Sequence, residues 1–200
     1  MKKSTWAIVA LTALTMTACG SKQASNRIKN PVEDNATGYT VVAGTDTTYD
    51  YAICHYLVDS IGPHYAQADF CVPMPSIVAV DEQNADDILV WGDFWVMNYR
   101  QAGDTLKMVS GGSHPGLIHL RQTENGFQVT AFDQVGDGSS FLPTAKKIFG
   151  EKFEAFQAIQ SDEQKRKVQQ EEMLAEYVKE HGLSATMYQD YGQEAVELRK

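Results

Sequence analysis

Apolar and polar positions divide the 200-residue chain into stretches of different period. Residues 6–17 are a short apolar run behind Lys2 and Lys3. Residues 20–38 hold almost no large apolar groups and cannot bury enough surface to order themselves, so they read as a tether. Tyr39 to Gly44 is a short β-type run. Ile53, Leu57 and Ile61, with Cys54 and Val58 beside them, recur at i, i+4 and predict a helix over about 47–61. Thr45 or Asp46 caps it, and Gly62-Pro63 stops it.

The period then shortens to two. Residues 71–80 are strand-like, but Pro73 and Pro75 assign their first part to a sheet edge. Asp87 to Tyr99 is β-branched and aromatic, with apolar residues on both faces of its middle. It predicts a long central strand covered on both sides, bent by a bulge at Gly92. Ala102-Gly103-Asp104 turns the chain into Thr105–Ser110. Gly111-Gly112-Ser113-His114-Pro115-Gly116 is expected to interrupt as a bulged turn before Leu117–Gln122. Glu124-Asn125-Gly126 signals a hairpin into Phe127–Gln134.

Helical spacing returns after Gly136-Asp137-Gly138. Ala145, Ile148, Phe149, Phe153 and Phe156 supply an apolar face with a break at Gly150. Ser161 and Gln164 fit a capping box opening a charged helix to about His181, with Val168, Leu174, Tyr177, Val178 and His181 as its stripe and Gly182 as its cap. In the tail to Leu198, Tyr188, Tyr191 and Leu198 are expected to fold back on the domain. A helix, a curved antiparallel meander and C-terminal helices make an α+β plan, with one domain over 39–200.

Charge and cysteines narrow the function classes. The formal charge is −9, and loss of Lys2 and Lys3 leaves the remainder more acidic still. Nucleic acid is excluded as a partner, because phosphate binding demands basic clusters. Lys165-Arg166-Lys167 is flanked by Asp162-Glu163 and Glu171-Glu172 and reads as a solvated helix face. No cofactor or metal spacing is present. Beyond Cys19, Cys54 and Cys71 are either one disulfide or two buried free thiols.

Lys2 and Lys3, the apolar run and small residues before a cysteine have the layout of an export signal too short to remain as a spanning helix. Met16-Thr17-Ala18-Cys19 resembles the lipobox of bacterial lipoproteins, with Met16 where leucine is commonest. The resemblance implies removal of residues 1–18, lipidation of Cys19 with palmitate among its acyl chains, and a tether over 19–38. It places the protein in the bacterial cell envelope, with Gly20 suiting the outer membrane, facing the periplasm or the surface.

Asp93, His114, His119 and Asp133 lie on or beside the predicted sheet. Gathered around an apolar cavity, Asp93 or Asp133 would act as acid or base with His119 assisting. The alternative is that the histidine is an ordinary strand residue and both aspartates serve turns. Ser113 beside His114 is no nucleophile pair, since neighbouring side chains on extended backbone point to opposite faces. Trp91, Trp95 and His114 are candidate ligand contacts; as core residues the tryptophans would fill the space between sheet and helix.

The element order resembles the NTF2-like and cystatin-like folds. Asp93-Phe94-Trp95, Gly103-Asp104-Thr105-Leu106, Ser110 to Gly116 and Tyr188-Gln189-Asp190-Tyr191-Gly192 are similar to uncharacterised exported proteins of gut bacteria. That likeness implies no catalytic residues. The expectation is a membrane-anchored, non-enzymatic binding or interaction domain for a small molecule, a glycan or a protein. The alternatives are an NTF2-like enzyme using the Asp/His cavity, and a module forming a homodimer.

Overall fold

The computed structural model describes residues 27–28 and 49–198. The expected β-run at Tyr39–Gly44, the caps at Thr45 and Asp46, and Cys19 with its signal lie outside the described residues. The architecture is α+β: helix α1 (Tyr49–Tyr56), a curved open sheet, then helices α2 (Phe141–Phe149), α3 (Phe153–Ser161) and α4 (Glu163–Glu180).

The sheet is built from β2 (Phe70–Asp81), β3 (Ile88–Ala102), β4 (Thr105–Thr123) and β5 (Gly126–Gln134), an antiparallel meander in the order expected. Short strands complete it. β1 (Arg27–Ile28), inside the segment read as tether, pairs with β5, and β6 (Met187–Gln189) runs parallel to the start of β4 and carries β7 (Val196–Glu197). The sheet is therefore mixed, because the C-terminal tail adds a strand where β5 does not reach.

β2 is an edge, as its prolines require. Pro73 and Pro75 have no N–H to donate, and the Pro75 carbonyl turns outward to accept from Gln169 of α4 at 2.8 Å. The expected bulge sits opposite Gly92 rather than on it: the register shifts between Ile77 and Ala79, leaving Val78 as the extra residue. Gly92 answers a different need, since a Cβ there would lie 2.7 Å from Phe94.

The expected interruption at 111–116 is not found. β4 runs unbroken through it, with Gly111 opposite Met97 and Gly116 opposite Gly92. The glycines serve close approach instead of a turn. A Cβ on Gly112 would meet the Tyr65 hydroxyl at 2.4 Å, and one on Gly116 the Asp133 carbonyl at 2.5 Å.

β3 is buried on both faces, as its composition predicts. Its even positions Ile88, Val90, Phe94 and Val96 pack with Ile118, Leu120 and Phe132 under α1, which contributes Ile53, Leu57 and Ile61 through a π-type turn continuing the helix. Its odd positions face the C-terminal helices. Trp91 packs with Ala145, Phe149 and Phe156, and Met97 and Tyr99 pack with Leu174 and Tyr177 of α4. Each fully buried aromatic or aliphatic side chain here contributes about 1.5–3 kcal/mol. Tyr188 and Leu198 fold back as expected, but Tyr191 is 84% exposed.

Helix α4 begins one residue later than the sequence suggests. Ser161 ends α3, and Asp162 is the cap, its carboxylate accepting from the Lys165 N–H at 2.9 Å. Gly150 (φ +53°) separates α2 from α3 and Gly182 (φ +60°) closes α4, both as expected. Cys54 and Cys71 are free thiols beside one small pocket, so the bridge the sequence left open is not formed. Burial pushes both thiols up to about 12.

Candidate functional site

The odd face of β3 carries Asp93 and Trp95 toward α4. Asp93 stands opposite Ser76 of β2, and Trp95 stands opposite Ser113 of β4. Because β4 stays a strand through its glycines, Ser113 reaches across to donate to Asp93 Oδ1 at 2.5 Å, while the Trp95 indole N–H donates to Oδ2 at 3.0 Å. The residue is 1% exposed. Burial raises the pKa of its carboxyl, and the bonds from Ser113 and Trp95 and the charge of Arg166 act against that rise.

Above this face α4 presents Lys165, Arg166, Val168, Gln169 and Glu172. The Arg166 guanidinium lies over the Trp95 ring, 5.3 Å from its centroid, and donates to the Gln160 carbonyl at 2.9 Å. Gln169 ties helix to sheet edge, accepting from the Ser76 hydroxyl and donating to the Pro75 carbonyl, both at 2.8 Å. Between them is a groove of about 350 Å³, its apolar walls including Ile77 and Ile159. Asp93 and Arg166 face this groove without forming an ion pair among the described residues.

The four polar candidates do not converge. His119 shares the face of Asp93 but lies further along β4, opposite Leu89 and Ala131. It is 7% exposed; its Nδ1 bonds Asp87 at 2.7 Å and its Nε2 lies 3.6 Å from Asp133. Neither His119 nor Asp133 borders the groove. His114 is on the opposite face, between the Tyr65 hydroxyl at 2.7 Å and the Gln134 amide at 2.8 Å. Burial lowers the pKa of its imidazole and raises that of Tyr65, so His114 is held as a neutral hydrogen-bonded residue.

The tryptophans divide as well. Trp91 is structural: its indole donates to the Ile148 carbonyl at 2.9 Å and Lys152 lies 4.3 Å from its ring, beside the helical core. Trp95 alone of the two borders the groove. No protein-family model, curated protein or solved structure matches this chain.

Sequence reasoning missed Arg166 and Gln169. Lys165 and Lys167 of the basic run are exposed, as the solvated reading expects, but Arg166 between them is half-buried over Trp95 and stands at i, i+3 with Gln169. That spacing was the available signal. The arrangement offers an aromatic wall, a buried carboxylate and a guanidinium to a bound molecule. It does not pair that carboxylate with a histidine for proton transfer. Among the described residues no helix is long and apolar enough to cross a membrane, and no three His, Cys, Asp or Glu side chains group as metal ligands.

Proposed function

We propose that this protein is a lipid-anchored binding domain of the bacterial cell envelope that holds a small polar molecule in the groove over Trp95 and Asp93. One observation carries the reading: a buried carboxylate, an indole and a guanidinium face the same cavity of about 350 Å³. That volume lies at the small end of ligand sites. A buried charge without an ionic partner is costly, and a ligand that supplies one offsets the cost.

The anchor is Cys19, with the domain held at the outer membrane on its periplasmic or surface side. The NTF2-like or cystatin-like kinship is part of the same proposal, supported by one helix packed on one face of a curved meander. Homodimerisation through the outer sheet face is the weaker reading, because helix α1 packs on one face of the sheet and the C-terminal helices pack on the other.

The test is thermal unfolding of the full chain in detergent against amino acids, sugars, nucleosides and fatty acids. A binder at about 100 times its Kd adds about 2.7 kcal/mol of stability. The expected result is a rise in Tm with one class that Trp95→Ala abolishes; no rise with any class overturns the groove reading. Separately, Cys19→Ser is expected to abolish metabolic incorporation of a lipid probe, and equal labelling of both chains overturns the anchor.

A further inference from the structure

The polar groups of the groove are of two kinds. The neutral ones are already engaged: the Gln169 amide bonds at both ends, to Ser76 and to Pro75. The charged ones form no ion pair among the described residues: Lys165 and Glu172 are exposed, whereas Asp93 is buried and Arg166 half-buried. Asp93 accepts only from neutral donors, Trp95 and Ser113, and Arg166 has a backbone carbonyl and an aromatic face.

A neutral ligand would leave Asp93 and Arg166 without an ionic partner in contact, and a simple anion or cation would satisfy one and crowd the other. A zwitterion satisfies both. Its two charges must be close together, since the Arg166 guanidinium lies over the ring of Trp95, whose indole N–H donates to Asp93. Ile77, Ile159 and Val168 leave apolar wall beside them.

We infer that the groove binds a free α-amino acid with an apolar side chain, its ammonium on Asp93 and its carboxylate on Arg166. This inference rests on the binding reading above and names its ligand class. The Trp95 ring and the isoleucines receive the side chain. Arg166 supplies a planar two-pronged donor that suits a carboxylate.

Isothermal titration of the full chain in detergent, with L-leucine and L-phenylalanine as probes, tests it. N-acetyl-L-leucine and L-leucine methyl ester each remove one charge, and each is expected to bind about tenfold or more weakly than L-leucine. Asp93→Asn and Arg166→Met are expected to weaken L-leucine by a similar factor. Asp93→Asn should also level the difference between L-leucine and its N-acetyl derivative, which a purely structural loss would not do. If Asp93→Asn fails to fold by circular dichroism, Arg166→Met, on a half-buried helix position, carries the test with the methyl ester. Derivatives that bind as tightly as L-leucine overturn the inference. Binding of glucose or a nucleoside but not of either amino acid overturns it too, while leaving the groove reading intact. Heat from no probe of any class sinks both.

Discussion

Ser113 of β4 donates its hydroxyl to Asp93 of β3 across a register that sets Ser113 opposite Trp95. The bond exists because Gly111, Gly112 and Gly116 let β4 lie close against its neighbours and continue as a strand. It helps hold a nearly inaccessible carboxylate ready at the floor of a groove.

The acid titration of Asp93 should be visible in stability. Burial holds its folded-state pKa above the ordinary 3.8, so the folded protein binds this proton more tightly than the unfolded chain. The contribution is fully present below the unfolded value and is lost as pH rises through the folded value. Asp93→Asn removes it. Urea unfolding from about pH 3.5 upward should therefore show the native protein losing stability relative to Asp93→Asn, by at most about 1.4 kcal/mol per pH unit. Parallel curves for the two proteins would contradict a raised pKa.

The meander, the burial of β3 on both faces and the Gly150 and Gly182 breaks were legible in the sequence, because each rests on local period or backbone permission. The run from Gly111 to Gly116 was misread for a physical reason. Glycine and proline signal turns by their torsions, whereas here the glycines answer approaches by Tyr65 and Asp133 from elements distant in sequence. The same limit hid the site. Asp93 and Trp95 stood out as a polar and aromatic pair on a strand, but Arg166 comes from a helix whose seat depends on how α3 and α4 pack on the sheet. The register puts His119 and Asp93 on one face of the sheet, yet alternation along each strand says nothing about distance across that face.

Gly116→Ala and Gly103→Ala separate the two uses of glycine. A Cβ at Gly116 would lie 2.5 Å from the Asp133 carbonyl and 2.6 Å from the Phe132 ring, so the backbone must move. Gly103 has φ +65° in the β3–β4 turn with no atom within 4 Å of a built Cβ, so only torsional strain applies. Denaturant unfolding should show a loss of about 3 kcal/mol for the first and about 1 kcal/mol for the second. Equal losses would mean that close approach does not set the identity of residue 116.

The two cysteines of the domain should be chemically quiet. With both thiols pushed up to about 12 by burial, they are held protonated at pH 8. In the full chain carrying Cys19→Ser, a disulfide reagent should react slowly with the folded protein and rapidly after guanidinium unfolding. Two thiols should then be counted, Cys54 and Cys71. Fast reaction of the folded protein would require one of them to leave its packing, and a count of none would require the bridge.

His119 offers the sharpest separation of scaffold from site. Its ring is buried between Asp87 and Asp133, and its Nε2 and Asp133 Oδ1 have no hydrogen-bond partner among the described residues. Yet neither residue reaches the groove. His119→Ala removes the bond to Asp87 and leaves a void on that face, and a stability loss of about 2–3 kcal/mol is expected by denaturant unfolding. The affinity of whatever ligand Trp95 binds should stay within about twofold, because deletions that share no partner add independently. The opposite pattern, unchanged stability with binding abolished, would move His119 into the site and restore the cavity in which it serves Asp93.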